Sequence, residues 1–461
     1  MPPRSSTEEL AAALGARLGG TVHDLRRLSG GASRVTSSFD LETAAGQTRP
    51  LILQRDRSGG APGRAKVRLE HALLHAAGDA GVLVPAVIAA PDFDDDDGAA
   101  DRDDALGGAW LVVERLVGET IPRKILRDPE YDTARPALTA QCGRALAAVH
   151  TIDPGTIAGL PPADPLRDPL PLLDALGEVR PALELGVRWL AAHRPDPGPT
   201  VTVHGDFRMG NLLVGPDGLR GVLDWELAHA GDPAEDIGWL CAPAWRFGGA
   251  GEVGGFGGVG ELLTAYEAAG GAPVTPERVH WWQVYATVKW AAICALQASQ
   301  HLSGATRSVE LAAIGRRVCE SEWDLFVLLG IRPPAGQPEP VAAAGPVPPF
   351  GRPTTAELTE AVREYVEGLM ERDEGAPAFD ARVARNALGI VERELLLGPS
   401  LAAAHAARLA HLGYADDAAL AAALRAGDLD TTWRQVAPAL AASARDQLLV
   451  ANPSYLPAAT A

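Results

Sequence analysis

The sequence predicts an α+β fold with a strand-rich amino-terminal region, a helical region and a separate C-terminal all-α domain. The first observation is a series of apolar or alternating runs within the first 116 residues. The second is helical periodicity from about residue 131 to 329, interrupted by three short strands near residues 201–224. The third is a segment rich in Pro, Ala and Gly, residues 331–353, which precedes a last helical stretch.

The composition is that of a folded protein without the charge needed to bind nucleic acid. Of 461 residues, 47% are hydrophobic and 22% are charged, which suits two or three domains. The net charge of -18 disfavours a nucleic-acid partner, because phosphate backbones require clustered Lys and Arg. No apolar run reaches the ~20 residues of a membrane span, and the amino terminus lacks a signal-peptide core. The four cysteines form no CxxC pair. We expect a cytoplasmic protein with no membrane partner, and its oligomeric state stays open.

The amino-terminal region, residues 1–116, begins with a helix because Ser6 to Glu9 form a capping box. The runs that follow predict strands at about 22–28, 35–41 and 50–55, a helix at about 64–80 and a strand at 109–116. The acidic run from Asp92 to Asp104 is interpreted as a solvated hairpin tip rather than a metal site.

The rest of the chain is expected to be mostly helical. Residues 117–330 form the second region, and residues 331–353 form a linker without periodicity. A new capping box at Thr354 to Glu357 starts the last domain, residues 354–461. Its own helical periodicity predicts an independent core, so we expect this domain to be separable.

One stretch, VHGDFRMGNLLVGPDGLRGVLDWE at residues 203–226, carries the chemistry. Asp206 is followed by Asn211 five residues later and by Asp224 thirteen residues after that. Each lies at the end of an apolar strand-like run, where short loops bring polar groups together. The spacing from the Asp to the Asn is that of a kinase catalytic loop, and hard oxygen ligands suit magnesium. The stretch therefore indicates a phosphoryl-transfer centre.

The runs HGDFRMGNLLV and VLDWELAHAGDPAEDIGW resemble the aminoglycoside phosphotransferase and choline kinase superfamily, and most closely its acyl-CoA dehydrogenase-10-like phosphotransferase branch. The resemblance extends over roughly residues 20–330. It implies a bilobal protein-kinase-like fold, ATP and magnesium as cofactors, and a small-molecule hydroxyl as acceptor. The tail after the linker resembles a helical domain of unknown function that is found fused to such phosphotransferases.

The resemblance also implies roles for individual residues. Asp206 corresponds to the catalytic base, and Asn211 and Asp224 correspond to the magnesium ligands. Arg208 takes the place of a cation that steadies the transferring phosphoryl group, and a surface salt bridge is its alternative role. Beside these residues, Asp236 is expected to hold the loop by hydrogen bonds.

The amino-terminal region would then bind the nucleotide. The segment LSGGASRVTSSF fits a phosphate-covering hairpin, in which glycine backbone N–H groups and two hydroxyls approach phosphate oxygens. Its candidate binding residues are Ser29, Gly30, Gly31 and Ser33. Adenine is expected against the backbone of Glu114 to Leu116, between the lobes.

The third strand departs from the family pattern. Glu70 matches the glutamate that pairs with a strand-three lysine, but Gln54 stands at the lysine position. Arg55 is the next available cation, and a regular strand would turn it to the opposite face. We expect either Arg55, reoriented by a bulge, or Gln54 to face Glu70.

These observations predict an ATP- and magnesium-dependent kinase of a small-molecule hydroxyl. Aromatic residues and an arginine after Asp224 suit a hydroxyacyl-type metabolite better than a polycationic acceptor, and the alternative is that most of these tryptophans belong to the core. The family resemblance favours the metabolite. The alternatives are an aminoglycoside or other antibiotic kinase, and a nucleotide-binding pseudo-enzyme or scaffold. The missing strand-three lysine favours the pseudo-enzyme, whereas the intact Asp206, Asn211 and Asp224 favour an enzyme.

Overall fold

The structure is a computed structural model, and its description covers most of the chain. The described residues are 7–28, 34–56, 60–93, 106–107, 109–162, 169–332, 352, 354–370 and 376–457. Most of the acidic run and of the expected linker lies outside them. Across these described segments, no helix combines the length and apolarity needed to cross a membrane.

Nine strands are found in the described segments, in three antiparallel sheets. They are β1 Gly20–Arg27, β2 Arg34–Thr43, β3 Thr48–Asp56, β4 Val87–Ala89, β5 Trp110–Glu114, β6 Val201–Val203, β7 Leu212–Gly215, β8 Gly218–Val222 and β9 His229–Gly231. The first five form one sheet in the order β1-β2-β3-β5-β4, while β6 pairs with β9 and β7 pairs with β8.

Helices make up most of the remaining described chain. They are α1 Thr7–Leu18, α2 Gly60–Asp79, α3 Pro122–Arg127, α4 Arg135–Val149, α5 Pro169–Leu176, α6 Pro181–Ala192, α7 Ala234–Cys241, α8 Val259–Ala268, α9 Pro276–Leu302, α10 Val309–Ile314, α11 Val318–Leu328, α12 Thr355–Met370, α13 Ala376–His411, α14 Asp417–Ala426 and α15 Trp433–Ala451. Short 3-10 turns lie at Pro129–Tyr131, Pro154–Thr156, Pro243–Trp245, Gly315–Arg317 and Pro453–Tyr455.

The two faces of the five-stranded sheet differ, as the alternation of strand side chains requires. One face buries Leu51 and Leu53 of β3 against Leu10 and Leu14 of α1, in a cluster that also includes Trp110. The other face carries the polar side chains of alternate positions and is approached by α2. Charged groups of β2, β3 and α2 can meet on this second face, which also carries the buried Leu111 and Val113 of β5.

By its internal contacts the chain divides into two compact units. The first comprises residues 1–163 and 197–279, and the second comprises residues 164–196 and 280–461. The first unit contains all nine strands and every site residue predicted from the sequence. The segment boundaries expected from the sequence, after residues 116, 330 and 353, remain predictions.

The carboxyl-terminal helices share the second unit with helices that precede the linker, so the expectation of an independent core needs correction. Arg425 of α14 donates hydrogen bonds to Asp174 at 2.9 Å and to the buried Glu184 of α6. Tyr455 donates to Asp324 of α11 at 2.6 Å. The periodicity of α12 to α15 predicted a helical module. It could not show that side chains of this module bind to helices that come before the linker.

Candidate active site

The backbone at the end of β6 requires a glycine before the candidate base. Gly205 has φ +79°, and a Cβ atom there would lie 2.2 Å from the carbonyl oxygen of Leu227. Only glycine meets both conditions. The chain can therefore turn from β6 into Asp206, while Asn211 directly precedes β7 and Asp224 lies two residues after β8.

Three side chains orient the Asp206 carboxylate. Its Oδ1 accepts hydrogen bonds from Arg208 Nε and Trp239 Nε1, both at 2.8 Å. Its Oδ2 accepts a hydrogen bond from Asn211 Nδ2 at 2.6 Å. Because an ionised carboxylate has about four acceptor positions, one remains for a further donor. With 12% of its side chain exposed, Asp206 is held in one orientation and is still accessible.

A buried network under the loop fixes its backbone. Asp236 accepts hydrogen bonds from the N–H groups of His204 at 2.8 Å and Gly205 at 2.9 Å. The same carboxylate lies 3.3 Å from His150 Nε2, and His150 Nδ1 lies 2.8 Å from the hydroxyl of Tyr266. Burial alone would raise the pKa of Asp236, but the hydrogen bonds that its carboxylate accepts hold the pKa below its usual value. Asp236 thus has the loop-holding contacts that the sequence predicts.

His204 joins the two halves of the site. The N–H of Asp206 donates to His204 Nδ1 at 3.2 Å, so the proton on the ring is on Nε2. That Nε2–H donates to the carbonyl oxygen of Leu223 at 3.2 Å, next to Asp224. Burial lowers the pKa of His204, which keeps the ring neutral. The imidazole therefore ties the Asp206 loop to the end of β8.

Asp224 has a left-handed backbone conformation. Its φ is +65°, a conformation that non-glycine residues rarely adopt. Partial exclusion of water and the nearby Glu226 charge raise its pKa to about 7, although Arg34 acts in the opposite direction. The residue is nevertheless exposed to solvent. The surroundings of Asp224 are therefore negatively charged, and a bound cation would favour its ionised form.

The donor set beside Asp224 fits magnesium, and it would need oxygen atoms from a bound phosphate to complete it. The N–H of Leu223 donates to the carbonyl oxygen of Asn211 at 2.8 Å, which places Asn211 and Asp224 on adjacent chain segments. The described residues contain no group of three or more His, Cys, Asp or Glu side chains arranged to hold a metal ion. Two protein oxygen ligands with phosphate and water completing the shell are usual for magnesium.

Arg208 lies against an aromatic wall beside the candidate base. Its guanidinium stacks over the ring of Trp245 at 4.5 Å from the centroid, while its Nε pairs with Asp206. Trp239 and Trp245 are both buried, with ring centroids 5.4 Å apart. Phe247 continues the wall from Trp245. Aromatic rings and one cation thus surround the Asp206 carboxylate.

The predicted nucleotide contacts are only partly described. Ser29, Gly30, Gly31 and Ser33 lie outside the described residues. Glu114 is the last residue of β5, and the side chain of Leu116 lies against Gly221 in the hairpin that leads to Asp224. Their contact with adenine remains a prediction.

The hydrogen-bond partner of Glu70 is Arg34, and the expectation that a bulge turns Arg55 toward Glu70 is wrong. Glu70 is buried, and its carboxylate accepts a hydrogen bond from Arg34 Nη1. The pairing of β2 with β3 runs unbroken from Arg34 opposite Asp56 to the far end of β3, so no bulge reorients Arg55. Arg55 lies opposite Val35 of β2, and its side chain lies on the face of the sheet that Gln54 does not share. There, burial and the nearby Arg27 lower the pKa of Arg55.

Sequence reasoning missed Arg34, Trp239 as a donor to Asp206, and the His150–Tyr266 pair. Arg34 offered a signal, because it directly follows the glycine-rich segment and precedes alternating polar residues. Trp239 and His150 offered none, since they lie 33 and 86 residues from their partners Asp206 and Asp236. Such contacts depend on how α4 and α7 pack, which local patterns do not specify.

Comparisons with known proteins agree with the motifs. Residues 24–282 match the family APH, described as the phosphotransferase enzyme family, and residues 371–455 match a domain of unknown function, DUF6285. A stretch of 209 residues is 28% identical to acyl-CoA dehydrogenase family member 10 of Mus musculus, covering 42% of this chain and 18% of that protein. A stretch of 60 residues is 40% identical to acyl-CoA dehydrogenase family member 11 of Gallus gallus, covering 12% of this chain and 8% of that protein.

A solved structure from Ralstonia eutropha, described provisionally as an aminoglycoside phosphotransferase, has a TM-score of 0.53 and 20% identity. The match covers 70% of this chain and 98% of that one. The chain thus spans less than a fifth of each curated relative but nearly all of the structural one. The predicted α+β, protein-kinase-like fold with a helical carboxyl-terminal region is confirmed, and so is the family resemblance.

Proposed function

Because this chain belongs to the phosphotransferase enzyme family, we propose that it transfers the γ-phosphoryl group of ATP to a hydroxyl of a small molecule. The observation that carries the proposal is the Asp206 carboxylate, which three side-chain donors orient while one acceptor position stays open. An oriented carboxylate of this kind is what the base of a hydroxyl-directed kinase requires.

In the proposed reaction the acceptor hydroxyl donates its proton to Asp206 as its oxygen forms a bond to the γ-phosphorus. The bond from that phosphorus to the bridging oxygen breaks, and ADP leaves. Magnesium, held by Asn211 and Asp224, would neutralise charge on the phosphates. Trp239 keeps the base from rotating, and Asp236 keeps the loop in place beneath it.

The acceptor is proposed to be an uncharged or anionic hydroxylated molecule of hydroxyacyl type. Trp239 donates to Asp206, Trp245 packs against Trp239, and the partly exposed Phe247 lies next to Trp245, so the surroundings of Asp206 are aromatic, while Arg208 adds a positive charge. This lining suits an acyl chain better than several ammonium groups, which would require carboxylates there. The acyl-CoA dehydrogenase names of the two curated relatives support the same class.

An acceptor panel tests the proposal. The full chain is incubated with ATP and magnesium together with a hydroxyacyl thioester, a hydroxy fatty acid or kanamycin, and phosphate esters are detected by ³¹P NMR. We expect an ester with at least one hydroxylated acyl compound and none with kanamycin. Rapid phosphorylation of kanamycin would favour an antibiotic kinase instead. Nucleotide binding without transfer to any acceptor would favour the pseudo-enzyme.

A further inference from the structure

Arg34 lies on the strand next to Gln54, the position at which the resembled family carries its strand-three lysine. It is the first residue of β2 and pairs across the strands with Asp56, while Thr36 pairs with Gln54. Alternate residues of a strand share a face, so Arg34 and Gln54 lie on the same face of the sheet. An arginine side chain on β2 can therefore extend into the space beside Gln54, the position at which the lysine is missing.

Glu70 fixes one edge of the guanidinium and leaves the other edge without hydrogen bonds. Arg34 is 8% exposed at its side chain, and its Nη1 donates to Glu70. Within the described residues, Arg34 Nε and Nη2 are buried and have no hydrogen-bond acceptor. Glu226 lies 3.7 Å from Nη2, which is an ion-pair distance rather than a hydrogen bond.

Buried guanidinium N–H groups without acceptors are costly, so an acceptor is expected to occupy that edge. The Nε–Nη2 edge of arginine matches two oxygens of a phosphate. The Arg34 charge also interacts with that of Asp224, the proposed magnesium ligand, so the guanidinium lies near the place where the phosphates are proposed to bind.

We propose that Arg34 binds the phosphates of the nucleotide in place of the strand-three lysine, with Glu70 holding its guanidinium. The inference rests on the proposed phosphotransferase function. Gln54 contributes no competing charge, and its buried Oε1 has no hydrogen-bond donor among the described residues. In this proposal the phosphate-binding cation lies on β2 instead of on β3, and the glutamate that pairs with it is still on α2.

Nucleotide binding measures this role without an acceptor. The full-length wild type, Arg34→Gln and Arg49→Gln are titrated with magnesium-ADP by isothermal calorimetry. Arg49 is an exposed arginine at the other end of β3 and serves as the matched control. We expect Arg34→Gln to weaken binding about 10- to 100-fold, the usual effect of losing hydrogen bonds to a charged group, and Arg49→Gln to bind like wild type. Equal affinity of Arg34→Gln and wild type would overturn the inference.

Two further variants separate phosphate binding from folding, because Arg34→Gln leaves the buried Glu70 unpaired. The double variant Arg34→Gln/Glu70→Gln removes both charges and should stay folded, as judged by circular dichroism, with equally weak binding. The double variant Arg34→Gln/Gln54→Lys returns a cation to strand three and should recover most of the affinity. Wild-type affinity in the first or no recovery in the second would contradict the assigned role. If the wild type itself binds no adenine nucleotide, the proposed function fails together with this inference.

Discussion

Replacing Asp224 by Asn should stabilise the nucleotide-free protein at alkaline pH. Partial exclusion of water and the charge of Glu226 make ionisation of Asp224 unfavourable in the folded protein. They raise its pKa from 3.8 to about 7. The unfolded chain has neither constraint. As the pH rises from about 4 to 7, the unfolded state loses this proton first, so the folded state loses stability through that range. Asn carries no proton to lose and should escape the penalty.

The size of the effect follows from the difference between the two pKa values. A difference between 3.8 and about 7 corresponds to about 4 kcal/mol at full effect. Because Asp224 is exposed to solvent, screening reduces this figure, and we expect about 1–2 kcal/mol at pH 8. For a unit of this size, that corresponds to roughly 2–8 °C in Tm.

Calorimetric melting in EDTA without nucleotide measures this difference. Asp224→Asn should melt above the wild type at pH 8 and with it near pH 4, whereas saturating magnesium-ATP should stabilise only the wild type. Asp217→Asn is the matched control, since Asp217 lies in the same hairpin with 77% of its side chain exposed. A lower Tm for Asp224→Asn at pH 8, or an equal gain in Asp217→Asn, would refute the reasoning.

Three other changes test separate parts of the account. Trp239→Phe removes one donor to Asp206 and should lower kcat about 10-fold while leaving the Kd for magnesium-ADP unchanged, so a changed Kd would contradict its role. Asp236→Asn should cost roughly 2–4 kcal/mol in urea unfolding, because its ionised carboxylate accepts buried hydrogen bonds from the loop, and an unchanged midpoint would argue against that network. A chain ending at residue 335 should aggregate or lose cooperative melting, since Glu184 loses its partner Arg425, whereas a soluble, cooperatively melting product would show that the tail is dispensable.

Local patterns predicted that Asp206, Asn211 and Asp224 lie beside strand ends, because strand ends and short loops are local features. The Asp206-to-Asn211 spacing and the strand-ending Asp224 fall within one stretch of residues, and short strands leave little freedom for their placement. The same holds for the first strands and α2, whose apolar alternation and helical periodicity matched the structure to within a few residues. Strand and helix periods are physical consequences of backbone geometry, so they can be recognised in one sequence.

Contacts between distant segments could not be obtained this way. The Arg34–Glu70 pair depends on the length of an arginine side chain reaching across one strand to α2, which no spacing encodes. The expectation of an independent core in the carboxyl-terminal module failed for the same reason. Capping boxes and apolar periodicity show where helices begin, but not which other helices they pack against. Arg425 shows the point, since its partner Glu184 lies 241 residues away.

Single-turnover transfer by the wild type and Asp206→Asn tests the central claim most directly. Enzyme in excess over γ-labelled ATP is mixed with magnesium and the acceptor found in the panel, and labelled ester is quantified over time. The account predicts labelled ester from the wild type and at least a ~10²-fold slower reaction in Asp206→Asn, with the Kd for nucleotide unchanged. Transfer at the wild-type rate in Asp206→Asn would contradict the claim that this carboxylate accepts the hydroxyl proton.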